Sequence, residues 1–326
     1  MLNKIRIHIK QTLLIISIYI IASNSLLGTT VWGFYAHKLI NRSAVWILPP
    51  EMFGFYKKHI AHITELAVKP DERRYMVRGE APKHFIDLDA FGDSALTVIP
   101  KKWSDAKEVY SVDTLMANGI APWNIKWTVK KLTDAFYHRD EEGILKHSAE
   151  LGHYIADIHV PLHTTSNYNG QLTNQYGIHG LWESRVPELY ATSYDLLLKP
   201  AYYIEAPLQT TWNIIQSSNQ CLDSIFLFEI KATQLIGDDK KYSYEERNGK
   251  TVRTYSRKFT HKYHQLLQGQ VERRLRNAIQ MVANLWYTCW VDAGQPNLDS
   301  LSSDIYFLPI TNDSLSQPIK TRFHDF

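Results

Sequence analysis

Apolar positions recur every three to four residues along most of this chain, in runs long enough to predict helices rather than strands. Ser43 to His59 is apolar and aromatic, with Pro49-Pro50 placed to open a new helix at its first turn. Trp103 to Ala117 and Trp127 to His138 carry helical periodicity and are separated by the turn NGIAPW. Glu142 to Ile158 reads as a buried helix with Pro161 at its boundary. Asn167 to Gly177, rich in Asn, Gly, Gln and Thr, reads as a loop, and GIHGLWESRVPELY then returns to helix. Two long helices are expected, Gln209 to Ile236 and Lys262 to Ala293, joined by a charged, turn-rich stretch with β character around Lys250 to Tyr255. After Gly294 the polar tail reads as loop. With no repeat and no dividing linker, the pattern predicts one mostly α-helical, multi-helical domain.

The first segment has a different pattern. Lys4, Arg6 and Lys10 precede the apolar run Leu13 to Ala22, and small and polar residues lead on to Trp32. The run is short for a bilayer span, so residues 1–31 read as a cleaved secretory signal ahead of a domain over 32–326. A secreted or periplasmic protein is expected. The formal charge is +3, and residues 1–31 carry three basic and no acidic residues, so the remainder is neutral. That argues against a nucleic-acid binder working through net charge alone. Composition is globular, at 44% hydrophobic and 12% aromatic. Cys221 and Cys289 lack CxxC spacing; one disulfide and two buried thiols both remain open.

The chemistry concentrates in GHYIADIHVPLHTTSNYNGQLTNQYGIHGLWESR, which holds His153, Asp157, His163, His179 and Glu183 within 31 residues. His153/Asp157 and His179/Glu183 are spaced i, i+4, which places each pair on one helix face. One such pair is usually coincidence. Two pairs with a further histidine between them, and no thiolate, suit a catalytic zinc site.

Upstream, Trp32 precedes His37, Asp71 lies in KPDERRY and His84 in KHFIDLD. With these, the series resembles the superfamily of zinc-dependent phospholipase C and the single-strand-specific zinc nucleases, over about Trp32 to Glu183. Trp32 and His37 match the family's metal-binding opening, and Asp71 and His84 match its next two ligands in order. His153, Asp157 and His163 match His-x3-Asp-x5-His, and His179 and Glu183 match His-x3-acid. The resemblance implies the family's multi-helical fold and three Zn²⁺ ions. One ion takes Asp71, His84, His153 and Asp157. A second takes Trp32 and His37 with Asp157 bridging, and a third takes His163, His179 and Glu183. It also implies phosphodiester hydrolysis by metal-activated water, with Asp71 as proton acceptor and Asp157 as bridge.

The Asn-rich HTTSNYNGQ and Glu183 favour a phospholipase C-like substrate and transient contact with a membrane surface. The alternatives are a single-strand endonuclease or nucleotidase, with Tyr168 or Tyr176 stacking a base, and a catalytically silent zinc-binding protein. No stable protein partner is implied. Arg73, Arg74 and Arg185 are equal candidates for phosphate clamp or salt bridge, and Asp87 and Asp89 for orienting ligands. Read alone, His37 is a surface or core histidine, Asp71 an N-cap and His84 a satisfied buried imidazole. His59 and His62 read as a solvated face, His147 as structural, His159 as a support for the ligands, and His261 and His264 as exposed. FGDSALT resembles an esterase nucleophile block, but no His has an Asp three residues before it, so Ser94 reads as bland.

Overall fold

The computed structural model describes residues 33–247 and 249–301; residues 1–31 and Trp32 lie outside them. Helices run in the order α1 (Gly33–Ala44), α2 (Pro50–Lys58), α3 (Ile60–Leu66), α4 (Lys69–Arg73), α5 (Ala95–Val98), α6 (Trp103–Val109) and α7 (Val112–Asn118). There follow α8 (Ala121–His138), α9 (Glu141–His159), α10 (Val186–Tyr190), α11 (Pro207–Asn219) and α12 (Leu222–Ile236). Strands β1 (Tyr242–Arg247) and β2 (Lys250–Tyr255) then form an antiparallel hairpin before α13 (Arg257–Leu266) and α14 (Gln270–Asp292). The fold is a mostly α-helical single domain.

Helix α9 is the central element, packed against α8, α14, α11 and α1. It starts where the Asp140 carboxylate accepts the Gly143 N–H at 3.0 Å, with Glu141 and Glu142 favourably placed in its first turn. It stops before Pro161. It is buried on nearly every side, so its polar residues must find partners inside the protein. Trp123, Trp212 and Trp286 are fully buried around it, and the Trp286 indole donates to the Ser148 carbonyl at 2.9 Å. At Gly152 an added Cβ would stand 1.8 Å from Asn41 Oδ1, so only glycine lets α1 approach α9 this closely.

A smaller core forms where Leu162, Ile178, Leu181, Trp182 and Val186 meet Ile225, Phe259 and Tyr263. The two i, i+4 pairs are therefore held by different packing, His153/Asp157 by the main core and His179/Glu183 by this one.

Several expected elements are shorter than their patterns. Trp103 to Ala117 divides at Tyr110-Ser111, where the Ser111 hydroxyl accepts the Thr114 N–H at 3.1 Å and caps α7. Gln209 to Ile236 divides after Asn219, where Asn219 turns its amide to the Thr164 carbonyl at 3.2 Å and Ser217 and Ser218 accept from Arg274. Lys262 to Ala293 divides at Gln268-Gly269, both left-handed at φ 48° and 75°. Helix α8 begins earlier than expected, at Ala121, with Pro122 in its first turn. The linking stretch supplies β1, and the GIHGLWESRVPELY segment is a π-helix over Gly180–Arg185 continued by α10.

Candidate metal centre

Each candidate ligand arrives on a separate structural device. His37 projects from α1, and Asp71 sits inside α4, so it is not the N-cap its local sequence allowed. His84 ends a 3₁₀ turn, Ala81–His84, and His163 lies in another, Pro161–Thr164. The His84 segment is tied down by Ala121 N–H to Phe85 O at 3.2 Å and Ile120 N–H to Pro82 O at 2.7 Å. Those bonds need the adjacent Gly119, at φ 91°, because a Cβ there would stand 2.1 Å from the Phe85 carbonyl oxygen. His179 begins the π-helix and Glu183 lies within it. Across this junction His179 Nε2 meets Glu183 Oε2 at 2.6 Å.

Eight of the nine expected ligands converge into three adjacent groups: His37, His153 and Asp157; Asp71, His84 and His153; His163, His179 and Glu183. Trp32 is the ninth and lies outside the described residues. Its neighbour Gly33 stands against Glu183, whose Oε1 is 3.0 Å from where a Cβ would be. Asp157 sits between ligands. Its Oδ1 is 3.4 Å from His37 Nε2 and 3.7 Å from His163 Nδ1, while Oδ2 is 2.9 Å from His84 Nδ1 and 3.3 Å from His153 Nε2. Asp71 Oδ1 lies 3.6 Å from His84 Nδ1 and 3.7 Å from His153 Nε2. In the third group His163 Nε2 is 3.2 Å from His179 Nε2 and 3.3 Å from Glu183 Oε2.

The donor set fits metal ions. His153 Nδ1 lies 2.8 Å from the Ala67 carbonyl, His163 Nδ1 2.6 Å from the His84 carbonyl and His179 Nδ1 3.2 Å from the Tyr168 carbonyl. A carbonyl oxygen only accepts, so in the neutral ring each Nδ1 carries the hydrogen and leaves the Nε2 lone pair aimed into its group. Two such lone pairs facing each other, as in His163 and His179, need a cation or a proton between them. Burial alone would raise Asp157, yet His153 and His163 hold its carboxyl well below the usual range; His179 and His163 do the same for Glu183. Conversely, burial would lower His153, but Asp157 and Asp71 push it up to about 9. Burial and the His153 ring, stacked 4.0 Å away, bring His37 down to about 4. The three groups can therefore hold metal ions.

The remaining candidates separate clearly. Arg185 is anchored by Glu188, Glu245 and the Tyr255 carbonyl. Arg73 is bound by Glu80, Glu150 and Tyr154. Arg74 differs: it is buried, its Nη1 is 3.6 Å from Asp71 Oδ1, and its Nε and Nη2 have no hydrogen-bond partner among the described residues. Asp89 binds the backbone and hydroxyl of Ser166 and the Thr165 hydroxyl, fixing the loop that follows His163. His147 pairs with Glu150, as a structural role requires. His59 is not on a solvated face; its Nε2 lies 3.3 Å from Glu141 Oε1 and its side chain is largely covered. His159 is buried with Nδ1 2.7 Å from the Ile155 carbonyl and joins none of the groups, while Ser94 is exposed. Cys221 and Cys289 are both free thiols.

Sequence reasoning missed Glu80. Its carboxylate is buried, 3.9 Å from His84 Nε2, and no motif marked it. A Glu four residues before a ligand histidine is the faint signal that was there.

No protein-family model matches the chain, and no curated protein matches it.

Proposed function

We propose that this chain is a zinc-dependent phosphodiester hydrolase of the phospholipase C type, as the resemblance of its ligand series implies. The observation that carries the reading is Asp157, whose two carboxylate oxygens face ligands of neighbouring groups, His37 with Oδ1 and His84 and His153 with Oδ2. Nitrogen and oxygen donors without thiolate, beside one bridging carboxylate, are the chemistry of a multinuclear zinc site. Asp71, His84, His153 and Asp157 would hold one ion, His37 with Asp157 and Trp32 a second, and His163, His179 and Glu183 a third. When bound, zinc supplies Lewis acidity to a phosphoryl oxygen and lowers the pKa of a coordinated water to roughly 7.

The chain's own residues have distinct tasks in this scheme. Asp71 is the most accessible of the three carboxylates, its side chain 20% exposed against 13% for Glu183 and 2% for Asp157. Its Oδ1 faces His84, His153 and Arg74 and its Oδ2 lies 3.9 Å from His37 Nε2, and as the most accessible carboxylate it would take the proton from the attacking water. Arg74 offers Nε–H and Nη2–H to the non-bridging oxygens of the phosphodiester, a match to the fork geometry of guanidinium. Three ions against three carboxylates would leave an excess of about three positive charges, which draws an anion to the site.

Tyr75, Met76 and Val77 follow Arg74 directly and are 45%, 52% and 47% exposed, forming an apolar lip beside the arginine. That lip favours a phospholipid over a polynucleotide, whose backbone presents charge on both sides of the scissile ester. The test is to offer zinc-loaded protein phosphatidylcholine vesicles, single-stranded DNA and bis-(p-nitrophenyl) phosphate. Release of phosphocholine supports the reading. Cleavage of DNA alone makes the protein a nuclease, and inertness toward all three with full zinc occupancy makes it a silent metal-binding protein.

A further inference from the structure

Glu80 is a buried carboxylate, 1% exposed, that lies outside the three ligand groups. It accepts from Arg73 Nη2 at 3.0 Å, from Lys83 Nζ at 2.7 Å and from the Tyr154 hydroxyl. Those three donors are not scattered. Arg73 is two residues from Asp71, Lys83 precedes His84 and Tyr154 follows His153, so each sits beside a ligand of the same group. One carboxylate thus joins the three segments that deliver Asp71, His84 and His153. His84 adds a second observation. It presents Nδ1 to Asp157, His153 and Asp71, whereas His153, His163 and His179 present Nε2. A ring that gives its Nδ1 lone pair to a metal must carry hydrogen on Nε2. In His84 that Nε2 is buried without a hydrogen-bond partner among the described residues, and Glu80 Oε1 lies 3.9 Å from it.

We propose that Glu80 is a positioning residue for the Asp71–His84–His153 group: it locks the three ligand segments together and orients the His84 ring toward the metal. Its charge is set for the task, because the Arg73 and Lys83 cations and the Tyr154 phenol outweigh burial and hold its carboxyl at about 2. The inference concerns metal affinity alone and stands whether or not the chain hydrolyses phosphodiesters.

The experiment titrates chelator-stripped full-length protein with Zn²⁺ in competition with a chromophoric chelator. It is run in a His179→Ala background, which disables the distal group, and in a His84→Ala background, which disables the proximal one. In the first background Glu80→Gln should lower zinc affinity by about 10- to 100-fold, the range for partners that orient a ligand. In the second its effect should shrink to about 2-fold or less, as for independent sites. Unchanged affinity in the first background, or equal losses in both, overturns the proposal. Should Glu80→Gln not fold, Tyr154→Phe carries the same test: a several-fold loss confined to the His179→Ala background supports the role, and no loss overturns it.

Discussion

His84 Nδ1 lies 2.9 Å from Asp157 Oδ2 although 73 residues separate them in the chain. Both side chains are buried, and the contact joins a 3₁₀ turn to the central helix. The same carboxylate turns its other oxygen to His37, so removing its charge should be felt across two groups at once. Asp157→Asn is expected to lower zinc content measured by elemental analysis. Phosphodiesterase activity should fall by more than the ~10- to 100-fold typical of partners that only orient a ligand. Full metal content with unchanged turnover would remove Asp157 from the bridging role.

Arg74 and Arg185 give opposite expectations although both are buried arginines. Arg74→Gln should reduce kcat/KM by about 10- to 100-fold, because its Nε and Nη2 have no hydrogen-bond partner among the described residues and its one ion pair, Nη1 to Asp71 at 3.6 Å, is long. Arg185→Gln strips Glu188 and Glu245 of a charged partner and should lower the melting temperature while sparing zinc content. Kinetics and thermal melts on the two variants separate the roles, and a reversal of the pattern would reject the assignment.

Metal and fold should be coupled. Three carboxylates and five buried histidines are drawn together, with Arg74 the one arginine paired to a ligand carboxylate among the described residues. Ions that bind only the folded state stabilise it by mass action. Treatment with a chelator should therefore lower the melting temperature, and added zinc should restore it. An identical melt with and without metal would argue that the groups are preorganised at no cost.

Acid should expose Glu80. Its carboxyl is at about 2 in the folded protein, against 4.5 when unperturbed, so protonation favours the unfolded chain. The stabilisation is fully present above pH 4.5 and is lost as pH falls toward 2. The loss is on the order of 3–4 kcal/mol, since each tenfold difference in proton affinity between the folded and unfolded chain is worth about 1.4 kcal/mol. Acid unfolding of wild type and Glu80→Gln, followed by circular dichroism, should show the variant with a shallower pH dependence through this window. Parallel curves would mean that Glu80 contributes no such linkage.

Gly152→Ala tests the seating of α9. The new methyl would meet the Asn41 amide oxygen, which has little room to move because the Asn41 amide donates to the Ala149 carbonyl at 3.1 Å. A destabilisation of about 1–3 kcal/mol is expected, visible as a lower midpoint in urea.

What could be read from the chain alone followed local rules. Apolar periodicity predicted the helical class, Pro49-Pro50 marked the start of α2, and the i, i+4 pair His153/Asp157 marked candidate ligands on one face of α9. These depend on the 3.6-residue turn and on capping chemistry, both short-range properties of the backbone. The breaks at Ser111, Asn219 and Gly269 were harder, because periodicity runs straight through them. They are decided by where side chains find partners, Asn219 on Thr164 and Ser218 beneath Arg274.

Only the tertiary structure separated three arginines of equal promise into two structural anchors and one with free donors. It also showed that Asp157 faces two groups at once and that Glu80 ties the Asp71, His84 and His153 segments together. The deciding contacts, Glu80 with Tyr154 and His84 with Asp157, span more than seventy residues and are fixed by how buried polar groups satisfy one another when the helices pack, so no local pattern encodes them. The sequence determined the helical class and nominated candidate ligands; packing decided which of them meet.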